Sequence, residues 1–311
     1  MLTCFLVAAL ALAGCGGDDD DTRLGSDLPP AGGGGSLAYA VPEVPGNLDP
    51  LAAASRAQQT VTRQVHEPLV AELTGPYGDT RKQPGLALSA RPSGGDTVWT
   101  VTLRSGVRFQ DGTPFNAAAV LANARRWSSD PTAQSLLPDL FAADAPRPDQ
   151  VRFLLDRPDP DLPTQLSVPE LGIVSPRALD PQSGEGARFR PGDAGSGTGP
   201  FEFVNAGPRR LEMRRFGSWW GSDAGLGPSL DSLVFVGSAR PQQRLSLLEA
   251  GTVQVADPLG AAALATVSAD PLLNVVGGPK TGIGLAGSVR GLDSAGAVPV
   301  LSRVWLTDIS G

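Results

Sequence analysis

Trp99–Pro114 has the sequence WTVTLRSGVRFQDGTP, in which apolar and polar residues alternate strictly over the first five positions. Such alternation is typical of a β-strand with one buried face. The pattern breaks at Ser105-Gly106, resumes, and turns again at Asp111-Gly112. Because glycine-containing dipeptides between alternating runs favour tight turns, this stretch predicts a β-hairpin or meander.

Strand and helix patterns alternate on both sides of this stretch. Runs rich in Ala, Gln or Leu predict helices, whereas short apolar or alternating runs predict strands. The predicted strands are Leu37–Val41, Val151–Leu155, Leu171–Val174, Phe201–Val204, Leu233–Val236 and a last one beginning at Val253. The predicted helices are Leu51–His66, one that starts at Thr113-Pro114, and Pro241–Ala250. The sequence therefore predicts an α/β fold.

The composition excludes several classes of protein. Two cysteines in 311 residues are too few for a disulfide-stapled miniprotein or a structural zinc cluster. The 25 basic side chains face 32 acidic ones and form no basic cluster, so we expect no nucleic-acid partner. With 39 Gly and 29 Pro, turns are plentiful and long helical bundles are not expected.

The N-terminus has the features of an export signal. Leu2–Ala13 is almost wholly apolar but too short to span a bilayer, as in the apolar region of a signal peptide. It ends in Leu12–Cys15, LAGC, which resembles the lipobox of bacterial lipoproteins. We therefore predict a signal peptide at residues 1–14, lipid attachment at Cys15, and a flexible Gly- and Asp-rich tether at 15–36.

A glycine-rich segment later in the chain could suggest a phosphate-binding loop. Gly195–Phe201 has three glycines, but it lacks the following Lys and hydroxyl that such a loop requires. A strand pattern follows it instead of a helix. We therefore expect no nucleotide site there.

Several segments, in this order along the chain, resemble the extracellular solute-binding proteins of family 5, the dipeptide, oligopeptide and nickel type that serve ABC importers. The matching segments are Asn47–Pro50 (NLDP), His66–Leu69 (HEPL), Pro84–Ala87 (PGLA), Trp99–Pro114, Gly197–Phe201 (GTGPF), Trp220-Gly221, and Leu230-Asp231 through Val255. The resemblance covers roughly residues 37–285, and Trp99–Pro114 is its most specific part.

The resemblance implies a periplasmic-binding-protein-like clamshell that encloses a ligand between two lobes without catalysis, metal or cofactor. It predicts that Leu37–Val41, Phe201–Val204 and Leu233–Val236 share one sheet. It assigns 37–67 and 176–278 to the core of the first lobe, 68–175 to an inserted subdomain and 279–311 to a stub of the second lobe. Because family members continue much further, the second lobe is expected to be largely missing, as in a truncated or frameshifted reading frame.

The resemblance also implies partners and a binding segment. The partners would be a small, peptide-like solute, the membrane subunits of an ABC permease, and the outer face of the bacterial cell membrane (or its periplasmic side) through the lipid on Cys15. By position, Ala54–Gln59 would line the cleft, and its candidate ligand-binding residues are Ser55, Arg56, Gln58 and Gln59. Arg56 would favour a carboxylate-bearing ligand, and its alternative role is a solvated helix side chain.

Other candidates for chemistry have simpler explanations. His66 is the single histidine, and its position near a predicted helix end indicates a capping or surface residue. Trp219 and Trp220 could form a sugar-stacking platform, although core packing is the preferred interpretation. Three functions stay open: the solute receptor of an importer, a fragment of such a receptor that binds nothing, and a lipid-anchored hydrolase.

Overall fold

The computed structural model describes residues 35–74, 80–179, 196–223, 228 and 230–260, with short pieces from there to residue 288. Cys15 and the predicted signal peptide lie outside the described residues, as does most of the segment 279–311. The strands are β1 Ser36–Val41, β2 Val70–Thr74, β3 Thr80–Pro84, β4 Ala87–Ser93, β5 Val98–Leu103, β6 Leu140–Arg147, β7 Gln150–Leu155, β8 Phe201–Gly207, β9 Arg210–Arg215, β10 Ser232–Gly237, β11 Val255–Ala256, β12 Leu273–Val276 and β13 Leu285–Ser288. The helices are α1 Arg56–Thr62, α2 Ala117–Trp127, α3 Pro131–Leu136, α4 Leu162–Gln165, α5 Pro176–Leu179, α6 Trp220–Asp223 and α7 Pro241–Glu249, with 3₁₀ helices at Pro50–Ala52 and Pro169–Leu171.

A seven-stranded sheet with the order β12-β13-β11-β1-β10-β9-β8 forms the larger layer. Its centre is parallel, because β1 pairs in parallel with both β10 and β11. The sheet includes β1, β8 and β10, which contain the three segments expected to share one sheet. The expectation that these three segments share one sheet is therefore confirmed.

Both faces of this sheet are covered, which explains why β1 is apolar at successive positions rather than at alternate ones. Tyr39 and Phe235 pack on one face, with their ring centroids 5.5 Å apart. On the other face, Ala38 and Ala40 lie under the buried leucines of α7, Leu245 and Leu248.

A separate antiparallel sheet has the order β4-β5-β7-β6, and β2 pairs with β3 in a two-stranded sheet. In β5 the buried residues alternate with partly exposed ones, as the sequence predicted. Helix α2 packs on this sheet and begins after its N-cap Asn116, whose side chain accepts a hydrogen bond from Ala119 N. The predicted start at Thr113-Pro114 is therefore wrong by three residues, because the asparagine amide supplies the cap.

Two further sequence predictions need correction. The predicted helix Leu51–His66 is a 3₁₀ turn followed by the shorter α1, since Ser55 interrupts it as an N-cap. Leu171–Val174 is no strand: Ile173 N donates to Glu67 O at 2.8 Å, and Val174 N donates to Asn123 Oδ1 at 3.0 Å. The division into lobe core and inserted subdomain at residues 67 and 175 remains our proposal.

Candidate functional site

The carboxyl ends of β10, β1 and β11 meet at one edge of the large sheet, here called the carboxyl edge. Ligands of open α/β sheets bind outside such an edge, where loops and helix N-termini converge. The segment that follows β1 supplies the 3₁₀ turn and α1, and Asp257 follows β11 directly. The fold therefore points to the carboxyl edge as the place for a binding site.

Three of the four residues predicted to bind ligand are engaged in holding α1. Ser55 Oγ accepts from Gln58 N at 3.2 Å, and Gln58 Oε1 accepts from Ser55 N at 3.2 Å, which together form a capping box. Gln59 Nε2 donates to Glu170 Oε1 at 2.6 Å and to Ala53 O at 3.3 Å. These contacts give the three side chains a structural role in α1.

Arg56 is the predicted residue that comes near the charged groups of the carboxyl edge. Its positive charge acts on Tyr39 and on Asp257, both of which are buried. Burial raises the pKa of Asp257 to about 6, while Arg56, Arg244 and the Tyr39 hydroxyl oppose the rise. Burial also raises the pKa of Tyr39, with the negative charge of Asp257 adding to the effect.

Arg244 holds the loops at this edge together. Its guanidinium donates to Ser238 O at 2.5 Å and, through two nitrogens, to Pro258 O. Ser238 follows β10 and Pro258 lies just beyond β11, so one buried side chain ties together the ends of the strands on either side of β1. Burial lowers the pKa of Arg244, and Asp257 counteracts this.

A second polar cluster lies where the chain crosses between the two sheets, here called the junction. Glu67 is 2 % exposed and accepts from Trp219 Nε1 at 3.3 Å and from Trp220 Nε1 at 3.0 Å. Burial raises the pKa of Glu67 to about 7, while the two indoles, Thr198 and Arg104 lower it. The tryptophans therefore bind an acid of their own chain, and the core interpretation describes them better than the stacking one.

His66, next in sequence, is fully buried, so its prediction as a capping or surface residue is wrong. Its Nδ1 lies 3.3 Å from Ile173 O and its Nε2 lies 3.3 Å from Ser196 Oγ. Burial lowers the pKa of His66 to about 4, so the ring is neutral near pH 7. The turn after α1 carries it inward, which a helix continuing to residue 66 would not do.

The glycines of the GTGPF segment serve close packing of the backbone at the junction. Gly199 N donates to Val65 O at 2.8 Å, and a Cβ built on Gly197 would lie 1.9 Å from the same oxygen. Such a contact leaves no room for any side chain. The structure thus supplies a packing reason for these glycines, consistent with the absence of a nucleotide-loop pattern.

The described residues contain no group of three or more His, Cys, Asp or Glu arranged to hold a metal ion. Among the same residues, no helix has both the length and the apolar character needed to cross a bilayer. Sequence analysis missed Asp257 and Arg244. An acidic residue directly after a predicted strand was the available signal for Asp257, whereas nothing in the helix pattern distinguishes Arg244.

Comparison with known families gives a match over most of the described chain. Residues 82–288, about two thirds of the sequence, match the description "Bacterial extracellular solute-binding proteins, family 5 Middle". Among curated relatives, the glutathione-binding protein GsiB of Escherichia coli K12 is 32 % identical over 217 residues. That alignment covers 68 % of this chain and 40 % of GsiB, so the chain spans less than half of this relative.

Two solved structures also match most of this chain, and the chain again spans less than half of each. AgaA from A. tumefaciens R10, a PBP in complex with agropinic acid, superposes with a TM-score of 0.66 at 25 % identity, covering 78 % of this chain and 47 % of AgaA. NikA from Brucella suis, in complex with Fe(III)-EDTA, gives a TM-score of 0.65 at 25 % identity, with 77 % and 47 % covered. Both of these structures contain a bound small molecule.

Proposed function

The chain belongs to the bacterial extracellular solute-binding proteins of family 5, and from this premise we propose that it is the solute-binding component of an ABC importer. The match over residues 82–288 carries the proposal. In this role the protein captures a small, peptide-like solute and presents it to the membrane subunits of a permease. It acts by binding and carries out no chemical conversion.

The carboxyl edge is the proposed contribution of this chain to the binding site. The parallel strand ends, Arg56 and Asp257 support this assignment, because charged side chains converge there at the edge where α/β sheets bind ligands. Arg56 is proposed to pair with a carboxylate of the solute. Ser55, Gln58 and Gln59 are proposed to act indirectly, by fixing the helix that presents Arg56.

Isothermal titration calorimetry with the full chain tests the proposal. The probes are reduced glutathione, as bound by the curated relative, and an unmodified dipeptide. We expect saturable heat with at least one probe, and at least a tenfold loss of affinity in Arg56→Gln. The matched control is Arg91→Gln, on the exposed end of β4 away from the carboxyl edge. Absence of heat with every probe would favour the non-binding alternative, and turnover of an ester or glycoside would favour the hydrolase.

Attachment to the membrane through a lipid on Cys15 is also proposed. The LAGC sequence supports it, and two acyl chains bind a bilayer stably where one binds only marginally. Metabolic labelling with a fatty acid tests the point. We expect label in the wild type and in Cys4→Ala, and none in Cys15→Ala. Label retained by Cys15→Ala would refute the anchor.

A further inference from the structure

One face of the large sheet brings together Tyr39, Asp257 and helix α1 at the carboxyl edge. Tyr39 and Val255 are neighbours in the parallel pairing of β1 with β11, and both belong to the buried cluster on this face. Asp257 lies two residues beyond Val255, and its N–H donates to Ala40 O at 3.1 Å, which continues the strand pairing. Because side chains alternate along a strand, the Asp257 side chain lies on the same face as Tyr39.

Helix α1 covers this face and brings Arg56 to it. Val61 lies in the same buried cluster as Tyr39, and Ala57 packs against that cluster. Arg56, the residue before Ala57, is partly buried, and its Nε atom is buried completely. Its positive charge acts on both Tyr39 and Asp257. The first residue of α1 therefore places a guanidinium at the carboxyl edge that is buried on one side and accessible on the other.

Asp257 is buried beside this guanidinium. Its side chain is 6 % exposed, and its Oδ1 has no hydrogen bond of good geometry within the described residues. The second guanidinium that acts on it belongs to Arg244, and all three nitrogens of Arg244 donate to backbone oxygens, those of Ser238 and Pro258. Because Arg244 is already fixed by the loops, the charge of Asp257 chiefly affects the orientation of Arg56.

The Asp257 carboxyl group carries its charge under neutral conditions despite its burial. Its pKa is raised only to about 6, so the group is largely ionised near pH 7. An ionised carboxyl group in a buried position lowers stability unless its partners compensate it fully. Such a cost is typical of groups that serve binding rather than folding.

We propose that Asp257 is a positioning residue of the solute site, whose carboxylate holds the guanidinium of Arg56 in the orientation that receives a carboxylate of the solute. The inference rests on the proposed solute-binding role. A guanidinium that is already oriented loses little conformational entropy when the solute binds. It also presents two parallel N–H groups, so the site favours solutes with an exposed carboxylate that accepts both.

NMR of the full chain labelled with ¹⁵N-arginine, at pH 7.5 and without solute, tests the position of Arg56 directly. The signal that is lost in Arg56→Gln identifies its Nε–H resonance. In Asp257→Asn, which removes the charge and keeps the shape, we expect this resonance to move toward those of exposed arginines and its hydrogen exchange to accelerate about tenfold or more. The control Asp149→Asn removes the exposed partner of Arg147 and should leave the Arg56 resonance unchanged.

Two results of this measurement would overturn the inference. One is an Arg56 resonance that is the same in the wild type and in Asp257→Asn. The other is an Arg56 Nε–H that already exchanges as fast in the wild type as those of exposed arginines. Neither result depends on whether the chain binds a solute.

A double-mutant cycle in solute affinity then separates positioning from direct contact. The probes for calorimetry are reduced glutathione and an unmodified dipeptide. If Asp257 acts through Arg56, Asp257→Asn lowers affinity about fivefold or more in the wild type and less than about twofold in Arg56→Gln. Equal losses in both backgrounds would contradict the inference, because Asp257 would then act on the solute independently. Absence of heat with the wild type would refute the solute-binding role, while the NMR comparison still decides whether Asp257 positions Arg56.

Discussion

Two buried carboxyl groups of this chain, Glu67 at the junction and Asp257 at the carboxyl edge, have raised pKa values for the same reason but among different partners. Burial is the largest cause in both. Glu67 accepts hydrogen bonds from two neutral indoles. Asp257 instead lies in the field of two arginines, and its Oδ1 has no hydrogen bond of good geometry within the described residues.

The difference separates a packed junction from a charged edge. At the junction, hydrogen bonds and glycine contacts specify the position of nearly every group, as in a structural core. At the carboxyl edge, the buried carboxyl group of Asp257 lies near two arginines, and its Oδ1 has no hydrogen bond of good geometry within the described residues, as expected of a group arranged for a ligand. Substitutions at the junction should therefore affect stability, whereas those at the edge should also affect binding.

The largest effect is expected from Gly197→Ala. The added Cβ would lie 1.9 Å from Val65 O, so the backbone of the junction must move, at a cost of about 3 kcal/mol or more in unfolding free energy. Gly46→Ala, in the loop near the carboxyl edge, meets nothing within 4 Å and should change stability little. Denaturant unfolding measures both. Equal losses in the two variants would remove the distinction between the regions.

The next effect concerns the pH dependence of stability. Because the folded-state pKa values of Glu67 and Asp257 are raised, each contributes stability that is complete below its unfolded pKa and is lost as pH rises through about 7 and about 6, respectively. Each loss is on the order of 2–3 kcal/mol. Unfolding between pH 4.5 and 8.5 should show a smaller decline in Glu67→Gln and in Asp257→Asn. An unchanged decline in either would show that its acid is not responsible.

A smaller loss is expected from Arg126→Gln. Arg126 Nη2 lies 2.5 Å from Asp49 Oδ2, and the two side chains are only 20 % and 12 % exposed. Removing one member leaves a partly buried charge, which costs about 1–2 kcal/mol. The control is Arg152→Gln. The ion pair of Arg152 with Asp144 is exposed, so this substitution should leave the urea midpoint unchanged. The reverse order of effects would contradict a structural role for the Asp49 pair.

The smallest stability effect is expected within α1, where it distinguishes the role of Ser55 from that of Arg56. Ser55→Ala removes the helix cap and should cost about 1 kcal/mol of unfolding free energy. At pH 4.5, where Asp257 is protonated, Arg56→Gln should leave the urea midpoint nearly unchanged, and near neutral pH it should lower solute affinity. Paired calorimetry and urea unfolding of the two variants check this. A loss of stability in Arg56→Gln equal to that in Ser55→Ala would assign Arg56 to the scaffold.

The strands with regular alternation were predictable from the sequence, because the alternation reflects one buried face of the same strand. Trp99, Val101 and Leu103 show this in β5, where the three side chains are buried. Leu171–Val174 was mispredicted because an apolar run is also compatible with a buried loop whose polar backbone atoms bind distant partners.

The candidate site was predictable only in part. The segment that contains Arg56 followed from its position in the family pattern, but the roles of Ser55 and Gln58 depend on where α1 begins. A capping box and a ligand contact use the same residue types, so local sequence does not separate them. Asp257 and Tyr39 approach each other only through the parallel pairing of β11 with β1.

The central position of β1 also has a consequence for how the chain acquires its fold. Ser36 pairs with Ser232 and Tyr39 pairs with Val255, so both neighbours of β1 arrive about two hundred residues later along the chain. At a synthesis rate of roughly 5–20 residues per second, β1 leaves the ribosome some tens of seconds before its partners exist. Contacts of such sequence separation slow folding. A nascent chain that ends before Ser232 therefore has no partner for β1 and cannot form the centre of this sheet.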